Sequence, residues 1–408
     1  YKGKPLYKLA RRGIEVPHFA QGQPQSLVQL LDVKSGDLIA TLPVRFEAHT
    51  ATADAAHQRI FIGNGGDGSA SIIDIARRKV TDTLDMANAA EGMVTDPNSG
   101  RCFILNRLGG SEIYVWTPGS ARLERWAAGN WPVELALVPS LNRLYAFSHF
   151  DSSFYSWDLK THQRLEDIPL PIPDNTGDSL SDIYVDPETG IAAVVCPESG
   201  YLCVVDLKRR RVLWKKCNED LRFGAKAGPG LASVLINPDK NLVYCISPKT
   251  YKIWVYDLNH GDLLKSTDLD KDITTSPSTM NAKGYAIDPC YFDRARQRLF
   301  IGSYVVNAKD LRITHRWTNP QKIFYADANF IWALEADDGK DQEYLVLLDA
   351  TKFNELRRTP IENNTRIRCT AHYDPKADNV YVGQLPQAQV LIYDGFKKLT
   401  QPLIRQRP

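Results

Sequence analysis

The stretch ADAAHQRIFIGNGGDGSASIID, residues 53–74, decides the fold because its pattern recurs along most of the chain. The stretch ends in an apolar strand whose last residue is Asp74. Equivalent strands end at Asp32, Trp116 and Asp158, so that the end residues 32, 74, 116 and 158 are each 42 residues from the next. A period of about 40 to 45 residues with four short strands per unit is typical of a β-propeller blade. The repeat therefore predicts an all-β fold, a β-propeller.

The other part of the repeat is a turn that begins with Asp-Pro, Asn-Pro or a close variant and leads into an apolar strand. Its seven copies cover residues 53–64, 95–106, 138–148, 185–195, 236–247, 287–302 and 373–383. Proline fixes φ at such a turn, and a polar or glycine residue completes the bend. Further apolar strands end at Asp206, Asp257, Asp349 and Asp394. We expect these carboxylates to accept hydrogen bonds from backbone N–H groups of the next turn, a structural role.

One spacing departs from the period. Asp257 and Asp349 are 92 residues apart, about two steps, yet only one clear copy of the turn lies between them. We predict a seven-bladed β-propeller with a long insertion after residue 302, at 303–342. A degenerate extra blade in this segment, which gives eight blades, is the alternative.

The predicted insertion is rich in aromatic residues, and long structured loops often carry function. We predict that its aromatic side chains dock a partner, because such side chains dominate interface energetics. They are Trp317, Phe324, Tyr325, Phe330 and Trp332. The alternative is that they pack the segment onto its own blade.

The rest of the chain is predicted to be one domain. Residues 1–25 follow no period and are predicted to form an N-terminal arm, with residues 26–408 as a single β-propeller domain. The first residue is Tyr1 rather than Met, which suggests removal of an N-terminal segment or a trimmed chain. If a signal peptide was removed, the protein works outside the cytoplasm.

The charge balance argues against a nucleic-acid partner. Lys and Arg total 50 and Asp and Glu 48, for a net charge of +2, with both signs mixed along the chain. Nucleic-acid binding is therefore not expected, although a local basic patch on one face stays open. No apolar run approaches the ~18 residues of a membrane span, so no transmembrane segment is expected.

The seven cysteines show no disulfide framework. Cys196 and Cys203 flank the turn PESG of one predicted hairpin, where opposed positions can lie close enough for a disulfide. We predict a disulfide between these two cysteines, with two buried thiols as the alternative.

Ligands of β-propellers bind at the mouth of the central channel, where the loops entering the innermost strands converge. We predict a channel-mouth binding site for a polar ligand or a partner's loop, with solvated loop residues as the alternative. The candidate residues are Arg45, His49, Glu91, Glu134, Asp182, Arg222, Arg366 and Arg368.

Candidate metal ligands are confined to one loop. Asp174, Asp178 and Asp182 form an oxygen-rich cluster of the kind that Ca²⁺ prefers, although the spacing is not that of an EF-hand. The sequence has no C-x-x-C-H, G-x-S-x-G or P-loop motif, so we predict no catalytic residue and no cofactor on this chain other than this Ca²⁺.

The repeat, best preserved in residues 59–106 and 231–258, resembles the YVTN type of WD40-like β-propeller repeat. The resemblance spans about residues 26–400; Trp116 in place of Asp and the segment after Gly302 depart from the pattern. It implies a periplasmic or secreted protein that binds or scaffolds. Similar seven-bladed propellers form the large chain of amine dehydrogenases and a haem-free subunit of hydrazine synthase.

Three hypotheses follow. The first is a non-catalytic, extracytoplasmic β-propeller that serves as a binding or scaffold subunit of a larger assembly. The second is a cofactor-free subunit of a redox enzyme, whose multihaem cytochrome or quinone-bearing partner carries the cofactor. The third is a metal-dependent hydrolase or lactonase of the β-propeller class.

Overall fold

The computed structural model describes most of the chain, in stretches separated by gaps. The described residues are 26–32, 38–45, 48–65, 67–86, 90–106, 111–120, 122–148, 150–172, 182–196, 200–217, 233–247, 252–269, 290–319, 321–337, 342–361, 369–374, 379–384 and 389–394. The predicted arm at 1–25 therefore lies outside them.

The described strands form seven four-stranded sheets and one five-stranded sheet. The chain begins with β1 (Ser26–Asp32) and β2 (Leu38–Val44). Sheet 1 consists of β3 (Ala48–Asp54), β4 (Arg59–Asn64), β5 (Ser69–Asp74) and β6 (Lys79–Asp85). Sheet 2 consists of β7 (Ala90–Thr95), β8 (Cys102–Asn106), β9 (Glu112–Trp116) and β10 (Glu124–Ala127). Sheet 3 consists of β11 (Pro132–Val138), β12 (Arg143–Ser148), β13 (Ser153–Asp158) and β14 (Ile168–Pro169).

The later sheets repeat this order. Sheet 4 consists of β15 (Asp182–Asp186), β16 (Ile191–Cys196), β17 (Tyr201–Asp206) and β18 (Arg211–Cys217). Sheet 5 consists of β19 (Ser233–Asn237), β20 (Leu242–Ser247), β21 (Lys252–Asp257) and β22 (Leu263–Asp268). Sheet 6 consists of β23 (Tyr291–Asp293), β24 (Arg298–Ile301), β25 (Tyr304–Asn307) and β26 (Ile313–Arg316). Sheet 7 consists of β27 (Gln321–Ala326), β28 (Phe330–Asp337), β29 (Gln342–Asp349) and β30 (Glu355–Ile361). The chain ends with β31 (Cys369–Asp374), β32 (Asn379–Gln384) and β33 (Gln389–Asp394).

These sheets belong to two compact units of the chain. Unit 1 comprises Tyr1–Leu137, Leu144–Asp151 and Ile367–Pro408, and unit 2 comprises Val138–Arg143 and Ser152–Arg366. The five-stranded sheet and sheets 1 and 2 lie in unit 1, and sheets 4 to 7 lie in unit 2, so the boundary falls within sheet 3.

The five-stranded sheet joins strands from both ends of the chain in the order β2-β1-β33-β32-β31. β1 lies parallel to β33, with Asp32 opposite Asp394, so two copies of the same repeat strand are adjacent and in register. The β1–β2 pair has a register shift between Leu30 and Leu31, as third and fourth strands have elsewhere in the chain. The C-terminal part of the chain thus supplies β31, β32 and β33 as the first, second and third strands of a repeat. The N-terminal part supplies β1, a further third strand, and β2, the outermost strand.

The β-propeller fold class is confirmed by this all-β architecture. The described four-stranded sheets number seven, as expected for seven blades, and are antiparallel. Together with the five-stranded sheet the described part contains eight sheets, the number in the alternative prediction.

The insertion predicted at 303–342 is not what the structure shows. This segment forms β25, β26, β27 and β28, regular strands of sheets 6 and 7, as the alternative of an additional repeat requires. The turn between β23 and β24 starts at Asp293, so the repeat is DRARQRLFIG (293–302), which matches DAAHQRIFIG (54–63). The corresponding turn of sheet 7 has no proline; instead Asp327 Oδ1 accepts hydrogen bonds from Asn329 N at 2.7 Å and Phe330 N at 2.9 Å.

The acidic residue at the end of the third strand has the structural role predicted for it. Oδ1 of Asp74 accepts a hydrogen bond from Arg77 N at 2.7 Å, and Oδ1 of Asp206 accepts one from Arg209 N at 2.8 Å. The same contact recurs at Asp158, Asp257 and Asp349, with Asn307 in that position in sheet 6. The prediction is therefore confirmed for these residues.

The core lies between neighbouring sheets. Between sheets 4 and 5, for example, Val204 and Trp214 pack with Val234 and Trp254. In sheets 1, 2 and 4, for example, the second and third strands are almost entirely buried on both faces, which explains their continuous apolar runs. The outermost strands are the exposed ones, for instance β22, which has no buried residue.

Candidate binding surface

The end of each sheet at which the first strand begins is here called the entry end. Four predicted channel-mouth residues lie at the entry ends of their own sheets, within the first strands. They are His49 on β3, Glu91 on β7, Glu134 on β11 and Asp182 on β15. The Glu134 side chain is exposed, and the structure does not describe the side chains of the other three. Arg222, Arg366 and Arg368 lie outside the described residues. The binding role of this set stays a prediction.

Arg45, just before β3, belongs to a polar cluster at the entry end of sheet 1. Its Nη1 atom lies 2.5 Å from Asp85 Oδ1 and 3.9 Å from Asp67 Oδ2. Asp67 also accepts a hydrogen bond from Ser69 Oγ at 2.7 Å, and Asn64 Nδ2 donates to that hydroxyl at 2.9 Å. Burial raises the pKa of the Asp67 carboxyl. Arg45 is thus paired within its own sheet.

A second polar cluster lies at the entry end of sheet 7. Glu335, nearly buried in β28, accepts hydrogen bonds from Asn319 Nδ2 at 2.9 Å, from Arg358 Nη2 at 2.7 Å and from Gln321 Nε2. Gln321 Oε1 is buried and has no partner among the described residues. The first residue of β28 lies opposite Asp349, and the first residue of β4 lies opposite Asp74. Counted along the two strands from these residues, Glu335 is equivalent to Asn64. Sequence reasoning missed this cluster because it assigned the segment to an insertion.

Three of the five aromatic residues predicted to dock a partner are buried instead. Trp317 stacks on Phe300 with ring centroids 6.0 Å apart, and Phe330 and Trp332 lie within β28. The docking prediction is wrong for these three, because the strands of sheets 6 and 7 place them in the core, as the alternative prediction stated. Phe324 and Tyr325, the other two, are half-buried on β27, and docking by them stays a prediction.

The predicted disulfide is absent. Cys196 and Cys203 are both buried thiols. In the β16–β17 pair, Cys196 lies opposite Tyr201 and Cys203 lies opposite Val194, so the two cysteines are diagonal rather than opposed. The alternative of buried thiols is correct for this pair.

The predicted Ca²⁺ loop lies largely outside the description. Asp174 and Asp178 are outside the described residues, and Asp182 begins β15 with its side chain undescribed. Among the residues that the structure describes, no group of three or more His, Cys, Asp or Glu side chains is arranged to hold a metal ion. Calcium at this loop stays a prediction.

An apolar patch, not singled out by the sequence, lies on the outermost strands of sheets 5 and 6. Leu263 and Leu264 on β22 are each 56% exposed, and Ile313 on β26 is 40% exposed. These are the large hydrophobic side chains that are exposed among the described residues. The two strands are neighbours, since Lys265 Nζ donates a hydrogen bond to the carbonyl oxygen of Asp310, just before β26. Leu263, Leu264 and Ile313 are called the outer patch below.

A basic stretch on the outermost strand of sheet 4 borders the outer patch. Residues 208–216, KRRRVLWKK, carry six cations. Arg209 pairs with Asp206 at 2.9 Å and Arg210 with Glu166 at 2.8 Å. Lys208, Arg211 and Lys216 are exposed and form no ion pair with a described residue. This stretch keeps a positive surface charge.

Sheets 4 and 5 contact each other beside the outer patch. Trp214 Nε1 on β18 donates a hydrogen bond at 2.7 Å to Leu258 O, in the turn that leads into β22. Gly261 in that turn has φ +73°, and a Cβ atom there would lie 2.6 Å from the Trp214 ring. The basic stretch, the turn and the outer patch are therefore adjacent.

Comparison with known proteins supports the fold class. No protein-family model matches the chain, and no curated protein matches it. The solved structures to which it is similar include β-propellers. Sqt1 of Saccharomyces cerevisiae has a TM-score of 0.63 at 13% identity, with 91% of this chain and 99% of that chain covered. The β-propeller domain of Cps50 (Swd1) of Myceliophteria thermophila gives 0.51 at 10% identity, with 86% and 98% covered.

A third similar structure is Raptor of Chaetomium thermophilum, with a TM-score of 0.52 at 10% identity. The match covers 88% of this chain and 28% of that one. At these identities the likeness shows the fold. The YVTN family, the redox-enzyme subunits and the extracytoplasmic location stay predictions. No described helix is long and apolar enough to cross a membrane.

Proposed function

We propose that the chain is a non-catalytic β-propeller that binds a partner protein as a scaffold or assembly subunit. The observation that carries the proposal is the outer patch, because large apolar side chains that neighbouring outermost strands leave exposed mark interaction sites. Its three residues come from two neighbouring sheets, so the patch is a property of the folded chain and not of one strand.

The electrostatics of the surrounding surface fit an interface. Apolar residues in the centre and charged residues at the border are the usual arrangement of protein interfaces. Here Arg312, 82% exposed, directly precedes Ile313, Lys309 lies exposed in the turn before β26, and the basic stretch of β18 lies on the other side of sheet 5. The described polar clusters at the entry ends are by contrast internally paired, as Arg45 with Asp85 and Arg358 with Glu335.

The experiment is quantitative co-purification from the native source. Three chains are compared: wild type, the double variant Leu263→Ser/Leu264→Ser, and Ala127→Ser as a control that changes an exposed apolar residue on β10. We expect a stoichiometric partner with the wild type and the control, and at least a tenfold loss with the double variant. Equal recovery of the partner with all three chains would contradict binding at the outer patch. A wild-type chain that is recovered as a monomer would contradict the scaffold function.

The absorption spectrum of the recovered complex tests the finer proposal that comes from the repeat resemblance. A haem- or quinone-bearing partner would give the complex visible absorbance that the isolated chain lacks. A colourless complex would contradict the redox-subunit proposal and leave the scaffold proposal standing. Fractionation of the source cells tests the extracytoplasmic setting in the same preparation.

A further inference from the structure

We infer that the partner segment bound at the outer patch is an extended, acidic peptide strand that pairs with the outer edge of β22; this rests on the proposed function. The first observation is the position of β22. It is the last strand of sheet 5 in the order β19-β20-β21-β22, so its outer edge pairs with no described strand. Backbone N–H and C=O groups on such an edge are a template for an added strand.

The second observation is the exposure of β22 on both faces. Leu263, Leu264, Lys265 and Ser266 are all exposed. Leu264 is the extra residue of a β-bulge, since Val255 lies opposite Lys265 and Tyr256 opposite Leu263, whereas the successive residues Lys265 and Ser266 point to opposite faces. The outermost strand of sheet 4 differs, because its Trp214 is buried against sheet 5. An added strand beside β22 would therefore cover exposed side chains on both faces, with apolar side chains of the peptide next to Leu263 and Leu264.

The third observation is the charge of the surrounding surface. Residues 206–217, 257–268 and 307–316 comprise the outermost strands of sheets 4, 5 and 6 with their preceding turns, and contain ten Lys or Arg and five Asp. This surface is thus more positive than the chain as a whole, whose net charge is +2. Lys208, Arg211 and Lys216 have no ion-pair partner among the described residues, so carboxylates of a peptide would meet uncompensated cations.

A protein segment fits these observations better than a nucleic acid. A phosphate backbone would use the cations but would leave Leu263, Leu264 and Ile313 exposed and the edge of β22 unpaired. An acidic strand with apolar side chains satisfies the cations, the apolar area and the backbone edge together.

The test is selection of random nonapeptides, displayed as a library, on the purified chain. We expect the enriched peptides to carry net negative charge and apolar residues at alternate positions. Binding of one selected peptide should fall at least tenfold for Leu263→Ser/Leu264→Ser and for Arg211→Gln/Lys216→Gln. The control Lys79→Gln/Arg122→Gln removes two exposed cations of sheets 1 and 2 and should leave binding unchanged.

Backbone pairing is tested with the same peptide after N-methylation of alternate amides along one edge. Strand addition predicts that one of the two methylated edges abolishes binding and the other does not. Enrichment without a charge bias, binding that survives methylation of either edge, or displacement of the peptide by an oligonucleotide of equal charge at lower concentration would each overturn the inference. In all three cases partner loss in the Leu263→Ser/Leu264→Ser co-purification would still support the proposed function.

Discussion

At the scale of single residues, two arginines connect neighbouring sheets in the same way. Arg298 Nη2 lies 2.6 Å from the buried Asp293 carboxylate, and its Nη1 donates to Ala350 O of the next sheet at 2.7 Å. Its guanidinium also lies over the Phe353 ring at 5.2 Å. Arg59 pairs with Asp54 in sheet 1 and donates to Gly100 O of the next sheet, in a different turn from that of Ala350, and its ring partner there is Trp116, at 5.0 Å.

This contact explains a departure from the repeat. Trp116 stands where other repeats have the turn-capping Asp, and its ring packs against Arg59 and Phe61, the latter with ring centroids 5.3 Å apart. In sheet 7 the separate residue Phe353 fills the place over the arginine. The turn after Trp116 is closed instead by a backbone bond from Ser120 N to Thr117 O at 3.0 Å. Sequence alone shows the substitution but not its reason, because the partner lies in another repeat.

Removing a buried acid of this kind should be costly. Asp293→Ala leaves Arg298 buried without its counter-ion, and we expect a loss of ~3 kcal/mol in the free energy of unfolding. Denaturant unfolding of the wild type and of Asp293→Ala measures this loss. The control Arg312→Ala breaks the exposed pair with Asp310 and should cost less than ~1 kcal/mol. Equal effects of both variants would contradict the stabilising role of the Asp293–Arg298 pair.

Asp67 should make stability depend on pH. Burial raises the pKa of its carboxyl, so the folded chain holds the proton more tightly than the unfolded chain. Its ionisation therefore destabilises the folded state, and this penalty is absent below the ordinary value of 3.8 and present above the raised pKa. Asp67→Asn is expected to raise the melting temperature at pH 7 relative to wild type and to leave it unchanged at the lowest pH.

Asp158 provides a control of opposite sign. The hydrogen bond from Thr161 N lowers the pKa of its carboxyl, so its contribution to stability is present above the ordinary pKa and is lost as the pH falls through the lowered one. Asp158→Asn should therefore lower the melting temperature at pH 7 and have less effect at acid pH. Shifts of the same sign for both variants would be incompatible with this account.

At the scale of strands and turns, the period of 42 residues is sufficient to predict the elements where the turn begins with Asp-Pro, Asn-Pro or a close variant. It is insufficient in residues 287–349, because the copy at 287–302 predicts the turn of sheet 6 at Asp288-Pro289, whereas the turn starts at Asp293. The turn of sheet 7, Asp327 to Phe330, has no proline at all. The match of DRARQRLFIG to DAAHQRIFIG was present in the sequence and could have corrected both.

The outer patch could not be predicted in the same way. Val80 and Ile313 occupy the same position of the outermost strand, opposite the penultimate residue of the third strand, yet Val80 is half-buried and Ile313 is exposed. Exposure depends on whether a neighbouring sheet covers the strand, and the sequence of a single repeat does not show this. The charges were visible in KRRRVLWKK, but their position beside an apolar patch depends on the contact of Trp214 with the next sheet.

The turn before β22 should tolerate no side chain at Gly261. Its positive φ and the Trp214 ring, 2.6 Å from a Cβ atom, together predict that Gly261→Ala costs about 2 to 4 kcal/mol in the free energy of unfolding. Gly119→Ala is the matched control, because Gly119 has φ +79° with open space around its Cβ position, and should cost about 1 kcal/mol. Thermal or denaturant unfolding compares them; a smaller loss at Gly261 would contradict the close approach of the two sheets.

At the scale of the whole molecule, strands from the N-terminal and C-terminal parts of the chain share one sheet. The sequence contains seven copies of the turn and eight of the strand that ends in Asp or Trp116, which predicts that both parts contribute to one closing blade but not that β1 pairs in parallel with β33. The two strands have similar sequences, LVQLLD and VLIYD, and each can occupy the third position of a sheet. Sequence therefore predicts that the ends meet, and only the structure shows which strands they contribute.

The proposed function belongs to this scale as well, because the outer patch is composed of residues from separate repeats. Its most direct test is hydrogen–deuterium exchange of the chain, alone and in its native complex. The account predicts that amides of residues 263–268 and 313–316 become protected on binding, with the described entry-end segments unchanged. Protection at the entry ends around Arg45 and Glu335, with unaltered exchange in β22, would contradict it.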